Sequence, residues 1–126
     1  MQDNKHVILY IDDDKDFLDV MRMILEKNGY IMAEAASAEE GLRVYKDIKP
    51  DLVIVDLMME EVDAGTSFVK ELRALHNTAP ILLLSSVGDD FNRLADYSAM
   101  GLDGVLQKPI NEAQILTLLK KKLHTA

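Results

Sequence analysis

Short apolar runs alternate along this chain with segments whose apolar residues recur at helical spacing. Two of the runs end in acidic residues: Val7–Ile11 is followed directly by Asp12, and Leu52–Val55 is followed directly by Asp56. Short runs rich in β-branched residues indicate strands of a parallel sheet, which is buried because helices cover both of its faces. The alternation therefore predicts an α/β fold.

Five strand-helix units are predicted. The strands are predicted at Val7–Ile11, Tyr30–Ala35, Leu52–Val55, Ile81–Leu84 and Val105–Leu106, the second being weak enough to suit a sheet edge. The helices are predicted from Phe17 to a stop at Asn28-Gly29, from the Ser37 and Glu40 capping box to about Ile48, around Phe68–Leu75, over Asp89–Met100 and from Ile110 onward. Connections of a few residues each imply a doubly wound sheet with helices on both faces.

Three carboxylates are expected at one edge of this sheet. Ligands of open α/β sheets lie beyond the carboxyl ends of the strands, where Asp12, Asp13 and Asp56 would meet. At about 4 Å and an effective dielectric near 20, each pair of like charges costs roughly 4 kcal/mol. Such a group is tolerable only if it binds a cation or shares protons.

Composition narrows the class of protein. The 126 residues are predicted to form a single domain over 1–126. They include 14 basic and 22 acidic residues and carry a net charge of -8. This balance argues against non-specific nucleic-acid binding, which depends on Lys and Arg. The chain has no cysteine, no apolar stretch of about 20 residues that would span a membrane and no signal-peptide pattern, so a cytoplasmic protein is expected. The last predicted helix takes up the rest of the chain, so no output domain is expected. The histidines His6, His76 and His124 lack metal-ligand spacing and are expected at the surface.

The ends of four predicted strands carry a characteristic series of residues. Asp12-Asp13 follows the first strand, Asp56 the third, Ser85 the fourth and Lys108-Pro109 the fifth. In this series the chain resembles the response-regulator receiver domains of two-component signalling, and the resemblance covers essentially its whole length. It implies a flavodoxin-like, five-stranded parallel sheet of order 2-1-3-4-5 with five helices.

The resemblance also implies a role for each site residue. Asp56 is the expected phospho-acceptor, with Lys108 and Ser85 contacting the phosphoryl group. Mg²⁺ is the expected cofactor, with Asp13, Asp56 and the backbone carbonyl of Met58 as ligands and Asp12 holding a coordinated water. The expected donor is a histidine kinase or a histidine phosphotransfer protein, and the phosphorylated chain would bind an unidentified downstream protein. No activity beyond self-phosphorylation and slow self-dephosphorylation is expected, and neither is a nucleic-acid or membrane partner. The chain would be a monomer or a weak phosphorylation-dependent dimer.

Some positions depart from the family pattern. Glu60 replaces a common proline, Asp63-Ala64-Gly65 replaces Asp-Gly, and Val105 replaces a common aromatic residue. Since valine has one stiff torsion and little volume, output is expected through the backbone that follows Ser85 rather than through a ring movement. The Lys108-Pro109 peptide is expected to be cis because of its resemblance to the family motif.

Three alternatives compete with the switch. A binding scaffold that does not use phosphorylation would keep the fold, although all the matched site residues are present. A phosphatase of the haloacid dehalogenase type requires a second aspartate two residues after the nucleophile, where this chain has Met58. A flavin-binding module would need a Ser-, Thr- or Gly-rich phosphate loop after the first strand, and none follows it.

Overall fold

The computed structural model describes residues 5–56, 70–75, 79–85, 104–107 and 111–123. Its strands are β1 (Val7–Ile11), β2 (Ile31–Ala35), β3 (Leu52–Asp56), β4 (Ile81–Ser85) and β5 (Gly104–Gln107). Its helices are α1 (Lys15–Lys27), α2 (Ala38–Ile48) and α3 (Glu112–Leu123), and residues 70–74 are also helical. The helix predicted over Asp89–Met100 lies outside the described residues.

The five strands form one parallel sheet in the order β2-β1-β3-β4-β5, which is the predicted order. The weak strand β2 lies at one edge, as its Ala and Glu residues suggested. β1 and β3 are neighbours, and their register pairs Ile8 with Leu52 and Ile11 with Val55. The chain reverses its direction of winding between these two strands, and this is where open α/β sheets bind ligands.

Alternate residues of each strand face opposite sides of the sheet, so the sheet has two apolar layers. On one side, α1 and α3 cover the sheet, with Leu18, Met21, Ile115 and Leu119 buried against strand residues such as Ile8. On the other side, Leu72 and the partly buried Leu42, Val44 and Tyr45 pack on Leu9, Ile11, Val53, Val55, Ile81 and Leu83. The central strands β1 and β3 are buried along their whole length.

Local hydrogen bonds fix where the helices begin and end. Asp14 caps α1, since its side chain accepts a hydrogen bond from the Asp16 amide at 2.9 Å. Ser37 caps α2 as predicted, with its hydroxyl 3.1 Å from the Glu40 amide nitrogen. After α1 the chain turns through Gly29, whose φ of 85° favours glycine. These caps set the two loops that leave β1 and β2.

Candidate functional site

The sheet register brings the ends of several strands to the same edge. Ile11 pairs with Val55. The residues that follow them, Asp12 and Asp56, therefore lie side by side at the carboxyl ends of β1 and β3. On the far side of β3, Asp56 pairs with Leu84, so that β4 ends one residue further at Ser85. The predicted convergence of Asp12 and Asp56 is therefore a direct result of parallel pairing.

Asp12, Asp13 and Asp56 form one compact group of carboxylates. Each offers an oxygen, and these three oxygens lie within 4.8 Å of one another. Asp12 is 0% exposed and Asp56 is 1% exposed, whereas Asp13 is exposed to solvent. The group thus has two charges in the protein interior and one at its mouth, an arrangement that attracts a cation from solution.

Asp12 is held from several directions. Its backbone amide donates to the Ala35 carbonyl at 3.1 Å, extending the pairing between β1 and β2. One carboxylate oxygen, Oδ1, accepts from the Asp14 amide at 2.9 Å, and the other, Oδ2, accepts from the Tyr10 hydroxyl. A buried carboxylate requires such donors, because an ionised group without them is costly to bury.

Among the described residues at the site, Tyr10 is one that the sequence did not lead us to predict. It is 0% exposed, and desolvation by burial raises the pKa of its hydroxyl, as do the hydrogen bond to Asp12 and the charges of Asp12, Asp56 and Asp14. Strand geometry contains the signal that would have found it, since residues two apart point to the same face. A tyrosine two residues before a strand-end aspartate can therefore place its hydroxyl on that carboxylate.

The α1 N-terminus lies beside this group. The loop from Asp12 to Asp14 is short, and the amide of the Asp14 cap points at Asp12. The first turn of a helix carries roughly half a positive charge, which favours nearby anions. This partial charge offsets some of the repulsion among the carboxylates.

The donor set fits a hard divalent cation. All three side chains offer oxygen, and Mg²⁺ prefers one or two carboxylates together with phosphate oxygens and water. Zinc sites, in contrast, are built mainly from histidine and cysteine ligands, and the acidic group has neither. The residues present therefore suit Mg²⁺.

The other predicted site residues are only partly described. Ser85 ends β4 at the same edge as Asp56, but its side chain lies outside the described part of the structure. Lys108, Pro109 and Met58 also lie outside it, as do the loop from Glu60 to Gly65 and the side chain of Val105. Their roles, and the cis Lys108-Pro109 peptide, stay predictions.

His6, which was expected at the surface, is only partly exposed. Its side chain is 22% exposed, and its Nδ1 lies 3.8 Å from a carboxylate oxygen of Asp51 at the opposite edge of the sheet. That oxygen also accepts from the Val7 amide at 2.7 Å. The two residues lie at the amino end of β1, and because they are far apart in sequence their contact was not predicted.

Within the described ranges, no helix has the length and apolar character needed to cross a bilayer.

A family model and many known proteins match this chain. The model described as "Response regulator receiver domain" matches residues 8–120, which include every residue of the acidic group. The transcriptional regulatory protein YvrH of Bacillus subtilis is 33% identical over 119 residues, covering 92% of this chain and 48% of that protein. The transcriptional regulatory protein PrrA of Mycobacterium tuberculosis is 34% identical over 117 residues, covering 93% and 49%. The chain spans about half the length of these curated relatives.

Two of the solved structures that match this chain do so over nearly the whole of both chains. A CheY-like response regulator receiver domain protein from Methanospirillum hungatei JF-1 has a TM-score of 0.87 at 26% identity, covering 96% of this chain and 95% of that one. The chemotaxis protein CheY4 of Vibrio cholerae has a TM-score of 0.85 at 28% identity, covering 94% and 99%. The similarity extends to the part of the chain that contains the acidic group.

Proposed function

Because this chain belongs to the response regulator receiver domain family, we propose that it is a phosphoryl-accepting switch in two-component signalling. It takes a phosphoryl group onto Asp56 from a histidine kinase or a histidine phosphotransfer protein. The modified chain then changes its affinity for a downstream protein. The grouping of Asp12, Asp13 and Asp56 at the edge of the sheet is the observation that carries this proposal.

The chemistry follows from the position of Asp56. An oxygen of its carboxylate attacks the phosphorus of the donor, the bond from phosphorus to the donor atom breaks, and an acyl phosphate forms. Such transfers have loose transition states, so the protein contributes mainly positioning and charge neutralisation. Asp56 lies at the end of a buried strand and is 1% exposed. The strand fixes its position, and burial limits the water that surrounds it.

The remaining residues manage charge. Mg²⁺, held by Asp13, Asp56 and the backbone carbonyl of Met58, would neutralise charge on the phosphoryl oxygens. Asp12 would hold a water of this site. Lys108 contributes a compact positive charge, and the hydroxyl of Ser85 donates a hydrogen bond to the phosphoryl group. The parallel order of the strands supports this proposal, because it brings the carboxyl ends of β1, β3, β4 and β5 to the same side of the sheet.

The output is proposed to be protein binding. The relatives YvrH and PrrA are named transcriptional regulators, and this chain spans about half of each. For these 126 residues, the net charge of -8 supports a protein partner over nucleic acid. We place the chain in the cytoplasm as one receiver domain, a monomer or a weak dimer when phosphorylated. It has no catalytic activity beyond its own phosphorylation and dephosphorylation.

The test is phosphorylation by a small donor. The purified chain is incubated with Mg²⁺ and acetyl phosphate, and its intact mass is measured. We expect the mass to rise by one phosphate, and we expect Asp56→Asn and removal of Mg²⁺ each to abolish the rise. Asp19→Asn is the matched control, because Asp19 is an exposed acid on α1 away from the group.

Two results would contradict the proposal. Phosphate on the Asp56→Asn variant would place the acceptor elsewhere. A folded wild-type chain that accepts no phosphate from either the small donor or a histidine phosphotransfer protein would instead indicate a scaffold that works without phosphorylation.

A further inference from the structure

Tyr10 connects the apolar interior to the acidic group. Its ring belongs to the buried cluster that contains Ile8, Ile54 and Leu84, on the side of the sheet that α1 and α3 cover. Its hydroxyl donates a hydrogen bond to Oδ2 of Asp12. The apolar cluster fixes the ring, so it holds the hydroxyl in place as well.

Hydrogen-bond donors restrain both oxygens of Asp12. The Asp14 amide binds Oδ1 at 2.9 Å, and the Tyr10 hydroxyl binds Oδ2. A carboxylate whose two oxygens are bound from different directions cannot rotate about its terminal torsion without losing a hydrogen bond.

We propose that Tyr10 is a positioning residue that fixes Asp12 toward the water it would hold at the cation, and that it thereby strengthens Mg²⁺ binding. The inference rests on the proposed function, because it takes Asp12 to be part of the Mg²⁺ site. Polar groups that orient the ligands of a metal commonly contribute about 10–100-fold to affinity. Here the orienting group lies on the same strand as the carboxylate, two residues before it.

Tyrosine gives this proposal a spectroscopic signature. The chain has four tyrosines, so a sample labelled with ¹³C at tyrosine Cζ gives four signals. The Cζ shift responds to the hydrogen bond that the hydroxyl makes. A cation beside Asp12 changes the charge on the carboxylate that accepts this hydrogen bond, so Mg²⁺ moves the Tyr10 signal.

The decisive experiment compares two variants that each lose one tyrosine hydroxyl. Tyr10→Phe removes the donor to Asp12 and keeps the buried ring. Tyr30→Phe is the matched control. Tyr30 belongs to the same apolar cluster and is 9% exposed, but it lies before the amino end of β2, whereas the acidic group lies at the carboxyl ends of the strands. Mg²⁺ dissociation constants are measured by calorimetric titration at a temperature where each variant is folded. The labelled wild-type chain is titrated in parallel, with Tyr10 assigned through the variants.

We expect Tyr10→Phe to bind Mg²⁺ about tenfold more weakly than the wild type, with Tyr30→Phe unchanged. We also expect Mg²⁺ to shift the Tyr10 signal of the wild type and to leave that of Tyr30 in place. Equal affinities in the two variants, or a Tyr10 signal that Mg²⁺ does not move, would overturn the role of Tyr10 while leaving the Mg²⁺ site intact. A wild-type chain that binds no Mg²⁺ would overturn both proposals.

Discussion

Replacing Asp56 with asparagine should stabilise the fold when no divalent cation is present. The substitution keeps the size of the side chain and removes one buried negative charge. In the wild type, oxygens of Asp56 and Asp12 lie within 4.8 Å of each other, and both residues are almost fully buried. The unfolded chain separates these charges, so their repulsion disfavours only the folded state.

The expected gain follows from this geometry. Two unit charges at the 4.8 Å limit repel by about 3.5 kcal/mol at an effective dielectric of about 20. Asp13 is exposed, so water screens its contribution to below about 1 kcal/mol. Asp56 takes part in interactions that the amide will reproduce incompletely. We therefore expect a net gain of about 1–3 kcal/mol, and each kcal/mol shifts the Tm of a domain of this size by roughly 3–5 °C.

The assay is urea and thermal unfolding with EDTA and then with excess Mg²⁺. Asp19→Asn, which removes an exposed charge, is the control and should match the wild type within about 0.5 kcal/mol. A cation that binds only the folded state stabilises it. Because Asp56→Asn lacks one of the carboxylates that would hold Mg²⁺, the wild type should recover more stability than this variant when Mg²⁺ is added. A metal-free Asp56→Asn chain less stable than the wild type would refute the reasoning, since repulsion would not dominate at this site.

Two further predictions concern Tyr10 and Ser37. Burial and the hydrogen bond to Asp12 raise the pKa of Tyr10 above its ordinary value of 10.0. As the pH rises, the tyrosine loses its proton in the unfolded chain before it does so in the folded chain. The contribution of Tyr10 to the free energy of unfolding is therefore complete below about pH 10 and is lost above it, by up to about 1.4 kcal/mol per pH unit. Urea unfolding above pH 10 should therefore show a shallower loss for Tyr10→Phe than for the wild type, and equal slopes would contradict this assignment. Ser37→Ala should lower the free energy of unfolding by about 1 kcal/mol, because the Glu40 amide loses its cap, and should leave phosphorylation unchanged.

The elements set by local pattern were predicted well. The buried strand β1 occurs at Val7–Ile11 as predicted, and β3 extends one residue beyond its predicted end to include Asp56. The predicted cap at Ser37 and the stop at Asn28-Gly29 are confirmed, because caps and left-handed turns depend on single residue types. The meeting of Asp12 with Asp56 was also predictable, since parallel strands end at a common edge.

Contacts made through the folded chain were harder to predict. The Tyr10 hydroxyl reaches Asp12 only because its ring is fixed by the apolar cluster beneath α1 and α3. The spacing of two residues shows that Tyr10 can reach Asp12, but the contact also depends on how the ring packs in the folded chain. His6 meets Asp51 across 45 positions of sequence because β1 and β3 pair, and no local pattern encodes that contact.

The central claim is that Asp56 carries the phosphoryl group, and chemical trapping tests it most directly. Borohydride reduces an acyl phosphate to an alcohol, so it converts a phosphorylated aspartate into homoserine. The chain is treated with acetyl phosphate and Mg²⁺, reduced and digested, and its peptides are sequenced by tandem mass spectrometry. The account predicts homoserine at position 56, with Asp12 and Asp13 unchanged. Homoserine at Asp12, Asp13 or another acid, with Asp56 intact, would contradict it.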